Sequence, residues 1–204
     1  MSILEYNGGD MVAMVGESCV AIASDTRLGN QGQTIACDYE KIFRVSEKIL
    51  VGLPGLATDT QTFLQLLTFK LNMYRLEEER EMKPEVLSSL ISSTQYERRF
   101  GPYFIEPIMA GLNSDGKPFI TAMDVIGSPV VTEDFVVGGC STENLYGLCE
   151  TLFRPNMNES ELFETISQVL LASVDRDALS GWGAVVHILG PKGMTTKKLK
   201  SRVD

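Results

Sequence analysis

Met11-Val12-Ala13-Met14-Val15-Gly16-Glu17-Ser18-Cys19-Val20-Ala21-Ile22-Ala23-Ser24 reads as two short apolar runs around a small polar turn, the pattern of a β-hairpin. More strands follow at Thr34–Cys37, Ile42–Val45 and Ile49–Leu53, with Glu47-Lys48 as a tight turn. The period then changes. Phe63, Leu66, Leu67, Leu71 and Tyr74 recur at helical spacing, and Thr58-Asp59-Thr60-Gln61 fits a capping box ahead of them. That helix runs out in Glu77-Glu78-Glu79-Arg80-Glu81, and a second begins at Pro84-Glu85 with Leu87, Leu90, Ile91 and Thr94 on one face. Gly101-Pro102 stops the chain beyond it.

Strands resume at Ile108–Leu112 and Phe119–Met123, joined by a turn carrying Asp115-Gly116, and again at Val130–Thr132 and Phe135–Val137. A third helix spans about Glu143–Phe153, and Pro155-Asn156 breaks it. A fourth carries Leu162, Phe163, Ile166, Val169, Leu170 and Val174, with Asp177 and Ser180 closing it. Two strands, Ala184–Leu189 and Met194–Leu199, end the pattern. Strands, a helix pair, strands, a helix pair and strands do not make alternating βαβ units. The order predicts antiparallel sheets covered by helical layers, an α+β domain spanning 1–204.

The 204 residues carry 18 Lys and Arg against 27 Asp and Glu, a net charge of −9. That balance excludes a nucleic-acid platform and a polybasic membrane patch. No apolar run approaches the ~20 residues that span a bilayer, and the start Met1-Ser2-Ile3-Leu4-Glu5-Tyr6 does not have the form of a secretory signal. Cys19, Cys37, Cys140 and Cys149 form no CxxC pair and read as free thiols. His187 is the single histidine, so a multi-histidine metal site is excluded, and no metal or cofactor is expected.

Three arrangements could carry chemistry. Cys140 or Cys149 with His187 could form a thiol–imidazole pair, although His187 sits within an apolar strand and Cys149 at core spacing with Leu145 and Leu152. The carboxylate runs Glu77–Glu81 and Glu133-Asp134 read as solvated faces. Gly8-Gly9 and Gly138-Gly139 fit neither a Walker loop nor GxGxxG. The third arrangement is Asp25 in Ala23-Ser24-Asp25-Thr26-Arg27, Lys41 ahead of Ile42-Phe43, and Asp177-Ala178-Leu179-Ser180-Gly181.

With Gly8-Gly9 before them and Tyr146-Gly147 in the third helix, these motifs resemble the β-type subunits of the proteasome core particle, which are N-terminal-nucleophile hydrolases. The resemblance covers nearly the whole chain. Asn7-Gly8-Gly9, Arg99-Phe100-Gly101-Pro102-Tyr103 and Phe163-Glu164-Thr165-Ile166-Ser167-Gln168 narrow it to one branch of them. It implies a four-layer αββα sandwich. Active members attack peptides with an exposed threonine hydroxyl, whose proton the free α-amino group and a lysine manage. Asp25 matches the family aspartate, Lys41 the lysine, and Asp177 and Ser180 the supporting pair. The family serine falls at Ser141 or Thr142.

The threonine position falls on Gly9, which has no side chain. The eight residues before it look too short to match the leaders of active members, and Ser2, exposed if Met1 were removed, lies out of register with Lys41. The resemblance therefore implies a non-catalytic subunit, in which Asp25 and Lys41 form a partly buried ion pair tying two strands. Its partners would be other α and β subunits in stacked heptameric rings, acting in ATP- and ubiquitin-linked protein degradation in the cytoplasm and nucleus. It would also border the peptide held by an adjacent catalytic subunit of trypsin-like preference. Asp124 and Ser128 would face that peptide, or Asp124 merely ends a strand beside a turn. The alternative is a stand-alone cysteine–histidine hydrolase. Trp182 could pack inside or meet a partner.

Overall fold

A computed structural model, describing residues 2–203, shows why the hairpin strands lack polar alternation. The first half of the chain forms β1 (Asp10–Val15), β2 (Val20–Asp25), β3 (Leu28–Asn30), β4 (Gln33–Ala36), β5 (Ile42–Ser46), β6 (Ile49–Gly52), α1 (Ala57–Glu78) and α2 (Pro84–Tyr96). The second forms β7 (Ile108–Leu112), β8 (Pro118–Met123), β9 (Pro129–Thr132), β10 (Phe135–Gly139), α3 (Thr142–Leu152), α4 (Glu159–Val174), β11 (Ala184–Gly190) and β12 (Gly193–Leu199). One sheet is ordered β10-β1-β2-β11-β12 and the other β5-β6-β7-β8-β9, while β3 and β4 form a small hairpin outside both.

Three apolar cores lie between four layers. Val12, Met14, Ala21 and Ala23 face α3 and α4 in the first. Met11, Ala13, Val20 and Ile22 face the other sheet in the second, against Leu50, Ile108, Ala110 and Ile120. The third packs Val51, Leu53 and Met109 under Phe63, Leu67, Leu87 and Ile91 of α1 and α2. The hairpin strands are thus buried on both faces, so Met11–Val15 and Val20–Ala23 are apolar throughout, and the polar Asp10, Ser24 and Asp25 fall at the strand ends. This is the αββα sandwich that the resemblance implies.

Three sequence expectations need correction, and two features lay outside the sequence reading. The capping box at 58–61 does not form: Leu56 is the cap position and lends no side-chain bond. Asn7 Oδ1 instead accepts from Ala57 N at 2.9 Å, a cap brought from fifty residues away. Asp59 accepts from Phe104 N at 2.8 Å. α4 ends at Val174, so Asp177 and Ser180 lie in the loop after it. The strands at 129–132 and 135–139 belong to different sheets, so Glu133-Asp134 is a crossover. β3 gave no signal because three residues are too few to show a period. Finally, β11 is not wholly buried: His187 and Val185 are half-exposed. Met1, on which an exposed Ser2 depends, lies outside the described residues; Ser2 caps a short 3-10 turn, Ile3–Glu5.

Candidate functional site

Gly9 stands immediately before β1, and the site is built around its Cα. Its N–H donates to Ser180 Oγ at 3.2 Å, and its carbonyl accepts from Cys140 N at 3.0 Å. Its φ of +115° is a left-handed conformation that L side chains rarely adopt. A Cβ added here would lie 2.5 Å from Lys41 Nζ and 2.9 Å from its Cε. The lysine end thus fills the volume that a side chain at position 9 would need.

Beneath that point lies Asp25, fully buried at the end of β2. Its Oδ1 accepts from Lys41 Nζ at 2.5 Å and from Asp10 N at 3.0 Å. Its Oδ2 accepts from Gly181 N at 3.0 Å and from Arg27 N at 3.3 Å. Four donors therefore surround one carboxylate, the condition under which a charge can stay buried. Lys41 immediately precedes β5, so the pair joins one sheet to the other. The sequence reading had a partly buried pair tying two strands; the two strands belong to different sheets, and both partners are almost wholly buried.

Ser180 Oγ donates to Asp177 Oδ2 at 2.5 Å, which carries the hydrogen-bond chain from Gly9 N through the serine to the second aspartate. Gly9, Asp25, Lys41, Asp177 and Ser180 thus meet, although they come from four separate segments. Ser141, rather than Thr142, is the serine drawn in. It donates its N–H at 2.8 Å to Asp10 Oδ1 and its hydroxyl to Asp10 Oδ2. Thr142 starts α3 and lines a different cleft.

Two participants, Asp10 and Ser173, escaped the sequence reading, and a third, Arg27, entered it only as part of a motif. Asp10, the residue ahead of the apolar run, is fully buried, and burial raises its pKa to about 7 against the pull of the Ser141 hydrogen bonds. Ser173 on α4 lies 2.7 Å from Ser141 Oγ and completes that cluster. Arg27, only 1% exposed, donates to Leu179 O at 2.7 Å, Thr34 Oγ1 at 2.9 Å and Gln31 O at 3.0 Å. It clamps the β3–β4 hairpin to the loop that holds Asp177 and Ser180.

Asp124 and Ser128 lie elsewhere, on a cleft of about 460 Å³ that Glu106, Asp134, Tyr146 and Glu150 also line. Asp124 Oδ1 accepts from Ser128 N at 2.8 Å and Ile126 N at 3.0 Å, an Asx-type turn. Its Oδ2 has no hydrogen-bond partner among the described residues. Asp134, expected on a solvated face, is half-buried and lines the same cleft. Burial also pushes the Glu106 carboxyl up. Glu106 and Glu150 lie too far from Asp124 in sequence for any spacing rule to join them.

No thiol lies within hydrogen-bond reach of His187 among the described residues. Its Nδ1 is 2.8 Å from Thr196 Oγ1, and burial lowers its pKa. Cys149 lies on the buried face of α3, where desolvation pushes its thiol up to about 12. Burial, with the carboxylates of Asp10, Asp177 and Asp25, raises Cys140 as well. A catalytic thiol needs the opposite shift. The cysteine–histidine alternative has no support. Trp182 is half-buried with φ of +61°, its carbonyl 3.5 Å from Thr26 Oγ1.

Two antiparallel sheets between helical pairs, with an aspartate–lysine pair under the start of β1, define the N-terminal-nucleophile hydrolase class of fold. Within that class, the chain belongs to the proteasome family, described as "Proteasome subunit", which it matches over residues 5–189. It is 56% identical over 205 residues to "Proteasome subunit beta type-3" of Dictyostelium discoideum, with 100% of each chain covered. The protein of that name from Picea mariana is 55% identical over 204 residues, and that from Drosophila melanogaster 50% over 205, again with 100% of each covered.

Proposed function

We propose that this chain is a non-catalytic subunit of the proteasome core particle's β ring, of the type-3 kind. One observation supports the reading: at Gly9, where the resemblance puts the family's threonine, Lys41 Nζ lies 2.5 Å from where a Cβ would begin. A lysine and two aspartates cannot cleave a peptide without an attacking atom, because the members of such a unit lose most of their effect together. Gly9 N is also an amide bonded to Gly8, so it offers no lone pair as a base. Asp25 and Lys41 serve to join the two sheets, and the subunit supplies surfaces that help close a heteromeric ring in the cytoplasm and nucleus.

The cleft lined by Asp124, Ser128, Glu106, Asp134 and Glu150 borders the neighbouring trypsin-like subunit's substrate in this reading. Four carboxylates there favour basic peptides by charge complementarity.

Treating the assembled particle with a peptide electrophile and mapping the adducts tests the assignment. Adducts are expected on other chains only. An adduct within residues 2–9 of this chain would overturn it.

A further inference from the structure

The turn after α2 carries an aromatic side chain in a place where folding gives it nothing to do. Phe100 is 92% exposed, more than any other large apolar residue described, and Tyr96 is 54% exposed. Arg99 lies between them, its guanidinium carbon 4.6 Å from the Phe100 ring centre and 4.8 Å from that of Tyr96. An isolated exposed phenylalanine would be ordinary. A guanidinium stacked between two exposed rings is a different object, since Arg and aromatic residues are enriched where proteins meet.

This knob is held rigidly. Successive turn bonds run from Arg98 N to Gln95 O at 2.9 Å, Arg99 N to Tyr96 O at 3.2 Å and Gly101 N to Arg98 O at 2.8 Å. On one side Gln95, wholly buried, donates to Asp124 O at 3.2 Å and Ile105 O at 3.4 Å. On the other, Tyr103 packs edge-on against Phe63 with ring centres 5.5 Å apart. Pinned ends mean that little entropy is lost when a partner takes hold.

Charge identifies what that partner offers. In a chain of net charge −9, Arg98 and Arg99 stand side by side, and the ion pairs among the described residues use neither of them. We infer that Tyr96, Arg99 and Phe100 form a docking anchor for a separate polypeptide that presents an apolar socket to Phe100 and carboxylates to Arg98 and Arg99. The inference rests on the reading of the chain as a subunit of a heteromeric particle, and it names where one neighbour holds it.

The test co-expresses tagged wild-type chain with Phe100→Ala or Arg99→Glu and weighs their shares in the purified particle by native mass spectrometry. Each variant is first unfolded thermally as an isolated chain; truncating so exposed a side chain leaves the midpoint within about 2 °C of wild type. Each is then expected at less than one-tenth of the wild-type share, since an interface anchor is worth roughly 30-fold in affinity. Equal shares of variant and wild type would overturn the anchor alone. Absence of the wild-type chain from the particle would sink the subunit reading itself. Self-association of isolated wild-type chain that Phe100→Ala abolishes would overturn the separate-chain assignment in favour of a second copy.

Discussion

Replacing Asp10 by Asn tests whether a buried carboxyl next to Gly9 makes the fold pH-dependent. In the folded chain its pKa rises from 3.8 to about 7, first because burial disfavours the charged form, with the Asp25 and Asp177 carboxylates adding to it. A carboxyl whose folded pKa lies above its unfolded value stabilises the fold least when ionised. Its contribution is therefore most favourable below pH 3.8 and is lost as pH rises through the window to about 7. Roughly three units at about 1.4 kcal/mol each give about 4 kcal/mol across that window. Asn copies the protonated acid. Its oxygen still accepts from Ser141 N, its amide donates to Ser141 Oγ, and that hydroxyl turns to Ser173 Oγ 2.7 Å away. Urea unfolding of wild type and Asp10→Asn at several pH values between 4 and 8 gives the comparison. The variant should be about as stable as wild type near pH 4 and more stable by up to about 4 kcal/mol near pH 8. Wild-type and variant curves that stay parallel over the whole range would refute the reasoning.

The Asp25–Lys41 pair makes an asymmetric prediction for the same assay. Lys41→Met leaves the carboxylate held by three amides and should cost about 3 kcal/mol, whereas Asp25→Ala strands both the ammonium and those amides and should cost about 5 kcal/mol. A larger loss for the lysine would contradict the network described. For the acidic cleft, Asp124→Asn in the assembled particle should lower cleavage after basic residues several-fold while other cleavages stay constant. Unchanged kinetics on basic peptides would remove Asp124 from specificity and leave it the Asx turn alone.

How far the chain can be read without coordinates differs from element to element. The hairpin of β1 and β2 is legible because strands buried on both faces read as continuous apolar runs, here Met11–Val15 and Val20–Ala23. The helix of α1 is legible from its buried stripe of Phe63, Leu67 and Leu71, but its cap is not, since Asn7 reaches Ala57 from outside any local window. Asp25, Lys41, Asp177 and Ser180 are visible only as motifs. Asp10, Ser173, Glu106 and Glu150 carry no local signal, because a lone polar residue at a strand or helix end looks the same whether buried or solvated.

By itself the sequence determined the order of strands and paired helices, the negative charge, the single histidine and the missing side chain at position 9, because each is a property of local pattern or composition. Tertiary structure alone decided that Lys41 Nζ reaches within 2.5 Å of a Cβ placed on Gly9, that Asp25 joins two sheets, and that four distant carboxylates share one cleft. Burial and proximity are set by packing between layers, and packing joins residues whose separation along the chain carries no record of it.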